Sequence, residues 1–124
     1  MVQLHGTVLV VEDEELIAML LSDMLEEMGL SVCGKAATAS HAVELAELHR
    51  PSLVLMDVRL EGTADGVDAA LEIDRRFGIP IVFVTGSSDN ATVDRIQQGH
   101  PAAILFKPIL PQQLRATVEK IFGT

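Results

Sequence analysis

Tryptophan and tyrosine are absent from this chain, and four phenylalanines bring its aromatic share to only 3%. Any core it builds is therefore aliphatic. A single cysteine, Cys33, excludes an internal disulfide, and no second thiolate lies near it. That usage fits a reducing compartment, with Cys33 as a small apolar core residue. Positive charge is scarce: 9 Lys and Arg stand against 18 Asp and Glu, a net charge of −9. A chain so acidic is repelled by phosphate backbones, so direct nucleic-acid binding is disfavoured and its partners are expected to be proteins or cations. Long hydrophobic runs are missing as well. Stretches such as Thr7–Val11 and Leu53–Met56 have strand length and fall far short of a bilayer span. Met1–Gly6 has neither the basic start nor the apolar run of a secretory leader. The expectation is a cytoplasmic protein without membrane contact.

What is present suits one folded unit. The 124 residues are 48% hydrophobic, with a mean hydropathy of +0.33, which argues against disorder and for one core. Five short apolar runs read as strands: Thr7–Val11, Ser31–Ala36, Leu53–Met56, Ile81–Val84 and Ala103–Phe106. Several are continuously apolar, the mark of strands covered on both faces of a parallel sheet.

Segments of helical period alternate with them. In the first, Leu16, Leu20, Met24 and Met28 recur every fourth residue, widened by Ile17, Leu21 and Leu25, and Gly29 provides a stop. This stripe, Met residues included, is expected to face the core. The second runs from about 40 to 49 with Val43 and Ala46 inward. The third carries Val67, Ala70, Leu71 and Phe77 before Gly78. The fourth spans about 89–98 with Asp89 as N-cap, and the fifth carries Leu114, Val118 and Ile121 after Pro111. Alternating βα units of this length imply an α/β fold, an open doubly wound (βα)5 parallel sheet of flavodoxin-like order 2-1-3-4-5. The expected organisation is one domain over 1–124 with no output domain.

In such a sheet, ligands bind beyond the carboxyl ends of the strands. There the sequence places Glu12 and Asp13 after the first strand, Asp57 after the third, Thr85 after the fourth, and Lys107 with Pro108 after the fifth. Three carboxylates in one place repel one another, and a divalent cation is the usual remedy. Oxygen-only ligands point to Mg²⁺, held by Glu12, Asp13 and Asp57. Phosphoryl transfer needs a nucleophile and neutralisation of the equatorial oxygens. Asp57 can attack phosphorus, Thr85 can donate a hydrogen bond to a phosphoryl oxygen, and Lys107 can neutralise another. Each residue also has a plainer reading. Glu12 and Asp13 could cap the first helix, Asp57 and Thr85 could be turn residues, and Lys107 could be a surface lysine. Their joint occurrence at four strand ends favours the chemical reading.

These stretches, VLVVEDE (8–14), LVLMDVRL (53–60), IVFVTG (81–86) and LFKP (105–108), resemble the receiver domains of two-component response regulators over essentially the whole chain. The resemblance implies that Asp57 is the phospho-acceptor and that Glu12 and Asp13 are the acidic metal pair. It implies further that the carbonyl of Arg59 ligates the metal, that Thr85 is the switch hydroxyl, and that Lys107 contacts the phosphate. It makes Pro108 the proline that often follows a cis peptide. A histidine kinase or histidine phosphotransfer protein is then the phosphoryl donor. Downstream partners would read the fourth helix, fifth strand and fifth helix, and self-association into a homodimer is left open.

Three departures stand out. Ile104 occupies a position where many receivers carry an aromatic that moves with the switch Thr. The loop VRLEGTADG after Asp57 lacks the usual Met-Pro and is expected to be mobile, with Gly62 and Gly66. Gly86 leaves the phosphoryl site open. Two other readings compete. A haloacid-dehalogenase-like phosphatase needs a second Asp two residues after its nucleophile, where this chain has Arg59. A pseudo-receiver would lack the chemistry, which the complete set Asp57, Thr85 and Lys107 argues against.

Overall fold

The computed structural model of the chain describes residues 3–122. Strands β1 (Thr7–Val11), β2 (Ser31–Ala36), β3 (Leu53–Met56), β4 (Ile81–Thr85) and β5 (Ala103–Phe106) alternate with helices α1 (Glu15–Glu27), α2 (Ala39–His49), α3 (Gly66–Phe77), α4 (Asn90–Gln98) and α5 (Pro111–Ile121). All strand pairs are parallel, in the order β2-β1-β3-β4-β5. The flavodoxin-like topology expected from the sequence is the one observed.

The sheet has a core on each face because successive strand residues point to opposite sides. Leu9, Val11, Val54, Met56, Ile81 and Phe83 pack under α2, α3 and α4. Val8, Val10, Leu53, Leu55, Val82 and Val84 pack under α1 and α5, against residues such as Leu25 and Leu114. That is why the three inner strands read as unbroken apolar runs. Cys33, on the edge strand β2, is half-buried against the first core. Burial pushes its thiol pKa up, which makes it a packing residue rather than a nucleophile.

Helix ends follow the local chemistry. The Asp65 carboxylate accepts the N–H groups of Val67 and Asp68 at the start of α3, and the Asp68 side chain accepts the Asp65 N–H in return. Asp89 caps α4 by accepting from the Thr92 N–H, and Pro111 opens α5. Among the described residues, no helix is long and apolar enough to cross a membrane.

Helix α1 departs from the expectation. The face against the sheet is Ala18, Leu21, Ser22 and Leu25: of the expected stripe, Leu21, Leu25 and Met28 are buried, while Leu16 and Leu20 are not. Leu16 is 64% exposed, and Met19 and Leu20 are each 49% exposed. Met24 is half-buried and only Met28 of these methionines is core. The helix carries two neighbouring apolar stripes, and the small residues Ala18 and Ser22 let the narrower one approach the strands. Ser22 satisfies its hydroxyl by donating to the Ala18 carbonyl at 2.8 Å. In α3, Leu71 likewise lies on the surface rather than inward.

Candidate functional site

The backbone ladder places the site residues before any side chain is considered. The Glu12 N–H donates to the Ala36 carbonyl at 2.9 Å, and the Asp57 N–H to the Val11 carbonyl at 2.9 Å. The Lys107 N–H donates to the Thr85 carbonyl at 2.8 Å. Each bond extends a strand pair by one step past its apolar residues, so the polar residues arrive together at the carboxyl edge. For the same reason β4 runs through Thr85, one residue beyond the expected end: Thr85 pairs with Phe106 of β5.

The side chains then converge. The Lys107 ammonium donates to Glu12 Oε1 at 2.7 Å and to Asp57 Oδ2 at 3.2 Å. Both carboxylates are buried, with side-chain exposures of 1% and 8%. Partial burial works against the Lys107 charge. The hydrogen bond to Glu12 and the nearby charges of Asp57 and Glu12 outweigh it and hold the pKa above the ordinary lysine value. Carboxylate oxygens of Glu12, Asp13 and Asp57 lie within 4.8 Å of one another. Three carboxylates against one ammonium leave an uncompensated negative charge of about two units, which matches a divalent cation. With oxygen donors only, that cation would be hard, such as Mg²⁺. The cluster is thus suited to hold a metal.

These residues border an open cleft of about 570 Å³ that Asp13, Asp57, Arg59, Thr85, Ser87 and Lys107 help to line. A methyl group added to Gly86 would meet nothing within 4 Å, so the mouth of the cleft is open there. Thr85 is buried at the cleft base, and its Oγ1 accepts the Ser87 N–H at 3.1 Å. The Lys107–Pro108 peptide is cis, as the sequence resemblance implies. The helix-cap reading of Glu12 and Asp13 does not describe α1: Glu14 is the N-cap residue and makes no side-chain cap bond. Glu12 Oε2 accepts the Glu14 N–H at 3.1 Å, just before the helix.

The loop after Asp57 is tied to the rest of the fold at two points. Glu61 pairs with Thr38, and its N–H donates to the Ala37 carbonyl. Gly66 is buried where its own Cβ would stand 1.8 Å from the Asp57 carbonyl oxygen. Its N–H donates to the Val58 carbonyl at 2.7 Å. Gly66 is therefore a seat for the Asp57 backbone rather than a point of freedom. Ile104 packs half-buried against the core of the α4 side. The aromatic of β5 is Phe106, two residues on and 45% exposed. The sequence reading missed Ser87 and Glu14 as cleft residues. A hydroxyl two residues beyond Thr85 was the available signal for Ser87.

A family model of the response regulator receiver domain matches residues 8–119. The chain belongs to the response regulator receiver family. This receiver is 44% identical over 112 residues to the transcriptional regulatory protein PdtaR of Mycobacterium tuberculosis, covering 90% of this chain and 54% of that one. It is 33% identical over 114 residues to the phyllosphere-induced regulator PhyR of Methylorubrum extorquens, covering 91% and 42%. It is 31% identical to the polar-differentiation response regulator DivK of Brucella anthropi, covering 94% and 96%. The receiver thus spans about half the length of PdtaR and PhyR and nearly all of DivK. Among solved structures, the receiver domain of a modulated diguanylate cyclase from Desulfovibrio desulfuricans superposes with a TM-score of 0.89 at 34% identity, covering 94% and 93%. The receiver domain of PhyR from Erythrobacter litoralis gives 0.81 at 32%, covering 94% and 89%.

Proposed function

We propose that this receiver takes a phosphoryl group onto Asp57 from a histidine kinase or histidine phosphotransfer protein, and that partner proteins read the modified state. The observation that carries this reading is a buried Asp57 carboxylate held by Lys107 at the base of an open cleft. One Asp57 oxygen forms a bond to phosphorus as the bond from phosphorus to the donor's imidazole nitrogen breaks. The imidazole leaves with the bonding electron pair and takes a proton. Lys107 neutralises a phosphoryl oxygen, Thr85 donates its hydroxyl to another, and the open side at Gly86 admits the donor. Glu12, Asp13, Asp57 and the Arg59 carbonyl would hold Mg²⁺, which supplies charge neutralisation when bound.

The donor's docking place follows from the misplaced stripe of α1. Leu20, Ile17, Met24, Pro108 and Ile109 line an apolar groove of about 370 Å³. Ile17 and Lys107 line both this groove and the acceptor cleft. A helical donor lying on α1 would bring its phosphorylated side chain to the cleft edge without crossing solvent. Downstream partners are assigned to the face of α4, β5 and α5, where Phe106 is exposed.

Turnover of outside phosphomonoesters is a poorer reading. Position 59, where a phosphatase of the haloacid-dehalogenase type needs its acid/base carboxylate, is the exposed Arg59. Incubation with a small phosphoanhydride donor and Mg²⁺, followed by intact mass measurement, tests the proposal. One retained phosphoryl group per chain, lost in Asp57→Asn, is the expected result. Unchanged uptake in that variant refutes the acceptor, and steady phosphate release from phosphomonoesters refutes the signalling role.

A further inference from the structure

Pairing in the sheet continues past the end of β1, with a change of partner. Val11, the last residue of β1, pairs with Ala36 of β2 on one side and with Met56 of β3 on the other. The Glu12 N–H still donates to the Ala36 carbonyl at 2.9 Å. One residue further along, the Ala37 carbonyl accepts the Glu61 N–H at 3.1 Å, and Thr38 pairs with Glu61 as an isolated parallel bridge. Strands β2 and β3 are separated by β1 in the sheet. The chain after β3 has therefore crossed the end of β1 to join the continuation of β2. The anchor it joins is itself fixed, because Thr38 caps α2 by accepting the His41 N–H at 3.1 Å.

The crossing segment, 58–61, is held on both sides of Arg59. Before it, the buried Val58 gives its carbonyl to the Gly66 N–H at 2.7 Å. After it, Leu60 packs against the core under α2 and α3, and Glu61 is tied to Ala37. Arg59 borders the cleft together with Asp13 and Asp57. A carboxylate ligand can turn to follow an ion, but a backbone carbonyl moves only when the main chain moves. The ties at 58 and 61 therefore set where the Arg59 carbonyl stands. Position matters most for a small ion. Mg²⁺ demands near-octahedral oxygens at about 2.0–2.1 Å, whereas Ca²⁺ accepts a flexible shell at about 2.3–2.6 Å.

We propose that the tie between Ala37 and Glu61 is a positioning device for the metal centre: by clamping the crossing segment to the continuation of β2, it holds the Arg59 carbonyl where it suits Mg²⁺ better than a larger divalent cation. The inference rests on the reading of Glu12, Asp13, Asp57 and the Arg59 carbonyl as the metal ligands. Glu61 acts through its backbone N–H, and its side chain is exposed. The connection from β2 to α2, which lends no side chain to the carboxylate cluster, thereby takes part in choosing the ion.

Titration of the full chain with Mg²⁺ and, separately, with Ca²⁺, followed by amide NMR shifts, tests the device. Glu61→Pro deletes the donor and sets a ring carbon against the Ala37 carbonyl. Glu61→Ala loses the same carboxylate but keeps the N–H, so it is the reference. Relative to it, Glu61→Pro should weaken Mg²⁺ binding about 10–100-fold, the usual range for losing a group that orients a ligand. Ca²⁺ binding should weaken by no more than about threefold, because its shell tolerates a displaced oxygen. A general loss of structure would weaken both ions alike, so the ratio of the two affinities is the readout. Leu60→Ala removes the packing beside Arg59 and keeps every backbone donor. It should shift the ratio the same way, and it decides the matter if circular dichroism without metal shows Glu61→Pro unfolded. Equal weakening of both ions, or unchanged affinities, overturns the positioning role. If the wild type binds neither ion, or Asp13→Asn binds Mg²⁺ as the wild type does, the reading of the metal ligands fails and the proposal falls with it.

Discussion

Gly62, Gly66 and Gly86 differ in what a methyl group would meet, and Gly66→Ala should be the costly one. Its Cβ would lie 1.8 Å from the Asp57 carbonyl oxygen, 2.8 Å from the Asp57 carbonyl carbon and 3.0 Å from the Val58 Cα. All three are backbone atoms, so no side chain can turn aside. Reaching an ordinary contact requires the start of α3 to withdraw by more than ~1 Å, which lengthens the 2.7 Å bond from the Gly66 N–H to the Val58 carbonyl and loosens Val67, Ala69, Ala70 and Ile73. Overpacking of this kind costs about 1–3 kcal/mol, and a buried donor left unpaired costs about 1–3 kcal/mol more. The expected loss is roughly 3–5 kcal/mol, a large part of the 5–15 kcal/mol that holds a typical domain together.

Gly62→Ala should cost only about 1 kcal/mol, because nothing lies within 4 Å and the penalty is a φ of +94°. Gly86→Ala should be nearly neutral for stability, having neither obstruction nor positive φ. Urea titration of the three variants, followed by circular dichroism, measures the series. The order Gly66 far above Gly62, with Gly86 near zero, is the prediction. A Gly66→Ala protein within 1 kcal/mol of wild type would show that the Asp57 backbone is not seated on α3 as described.

Two further outcomes follow from the electrostatics. Mg²⁺ should stabilise the wild type by binding the folded cluster, by about 2.7 kcal/mol at a hundredfold excess over its dissociation constant, and so raise its thermal midpoint. Asp13→Asn and Asp57→Asn should each blunt that gain, and an equal gain in both variants would remove the three-carboxylate cluster as the site. For Asp65, burial works against ionisation, but the Arg95 hydrogen bond, the backbone N–H groups of Asp68 and Val67 and the Arg95 charge outweigh it and lower the pKa. A depressed carboxyl contributes stability above its unfolded value near 3.8 and loses it as pH falls through the lower folded value. Carbon-detected NMR titration should place Asp65 below that value and Arg95→Ala should raise it; an unmoved midpoint would deny the pair.

Most of the fold was legible because the inner strands are buried on both faces, so their apolar runs are unbroken, and because Asp89, Pro111, Gly29 and Gly78 punctuate the helices. The convergence of Glu12, Asp13, Asp57 and Lys107 was legible too, since strand ends in a parallel sheet share one edge. The Gly66 contact was not. Composition marks a glycine-bearing loop as free, yet a glycine is also what a close backbone approach requires, and only the approach distance tells the two apart. The clamp of Arg95 on Asp65 joins residues thirty positions apart on neighbouring helices, and no periodicity encodes such a pair.

The misread stripe of α1 has a physical consequence of its own. A helix against a sheet needs one apolar face, and Ala18, Leu21, Ser22 and Leu25 meet that need here. Leu16, Met19 and Leu20 are then surplus to folding, and leaving three large apolar side chains in water has no benefit for an isolated molecule. Scattered singly they would require no explanation. Leu20 instead lines a groove that shares Ile17 and Lys107 with the Asp57 cleft. The spacing that made the stripe resemble core is the spacing a second helix needs to pack against the first. Of the predicted stripe, Leu21, Leu25 and Met28 do form the inside of this protein, and Ile17, Leu20 and Met24 are left to line the groove.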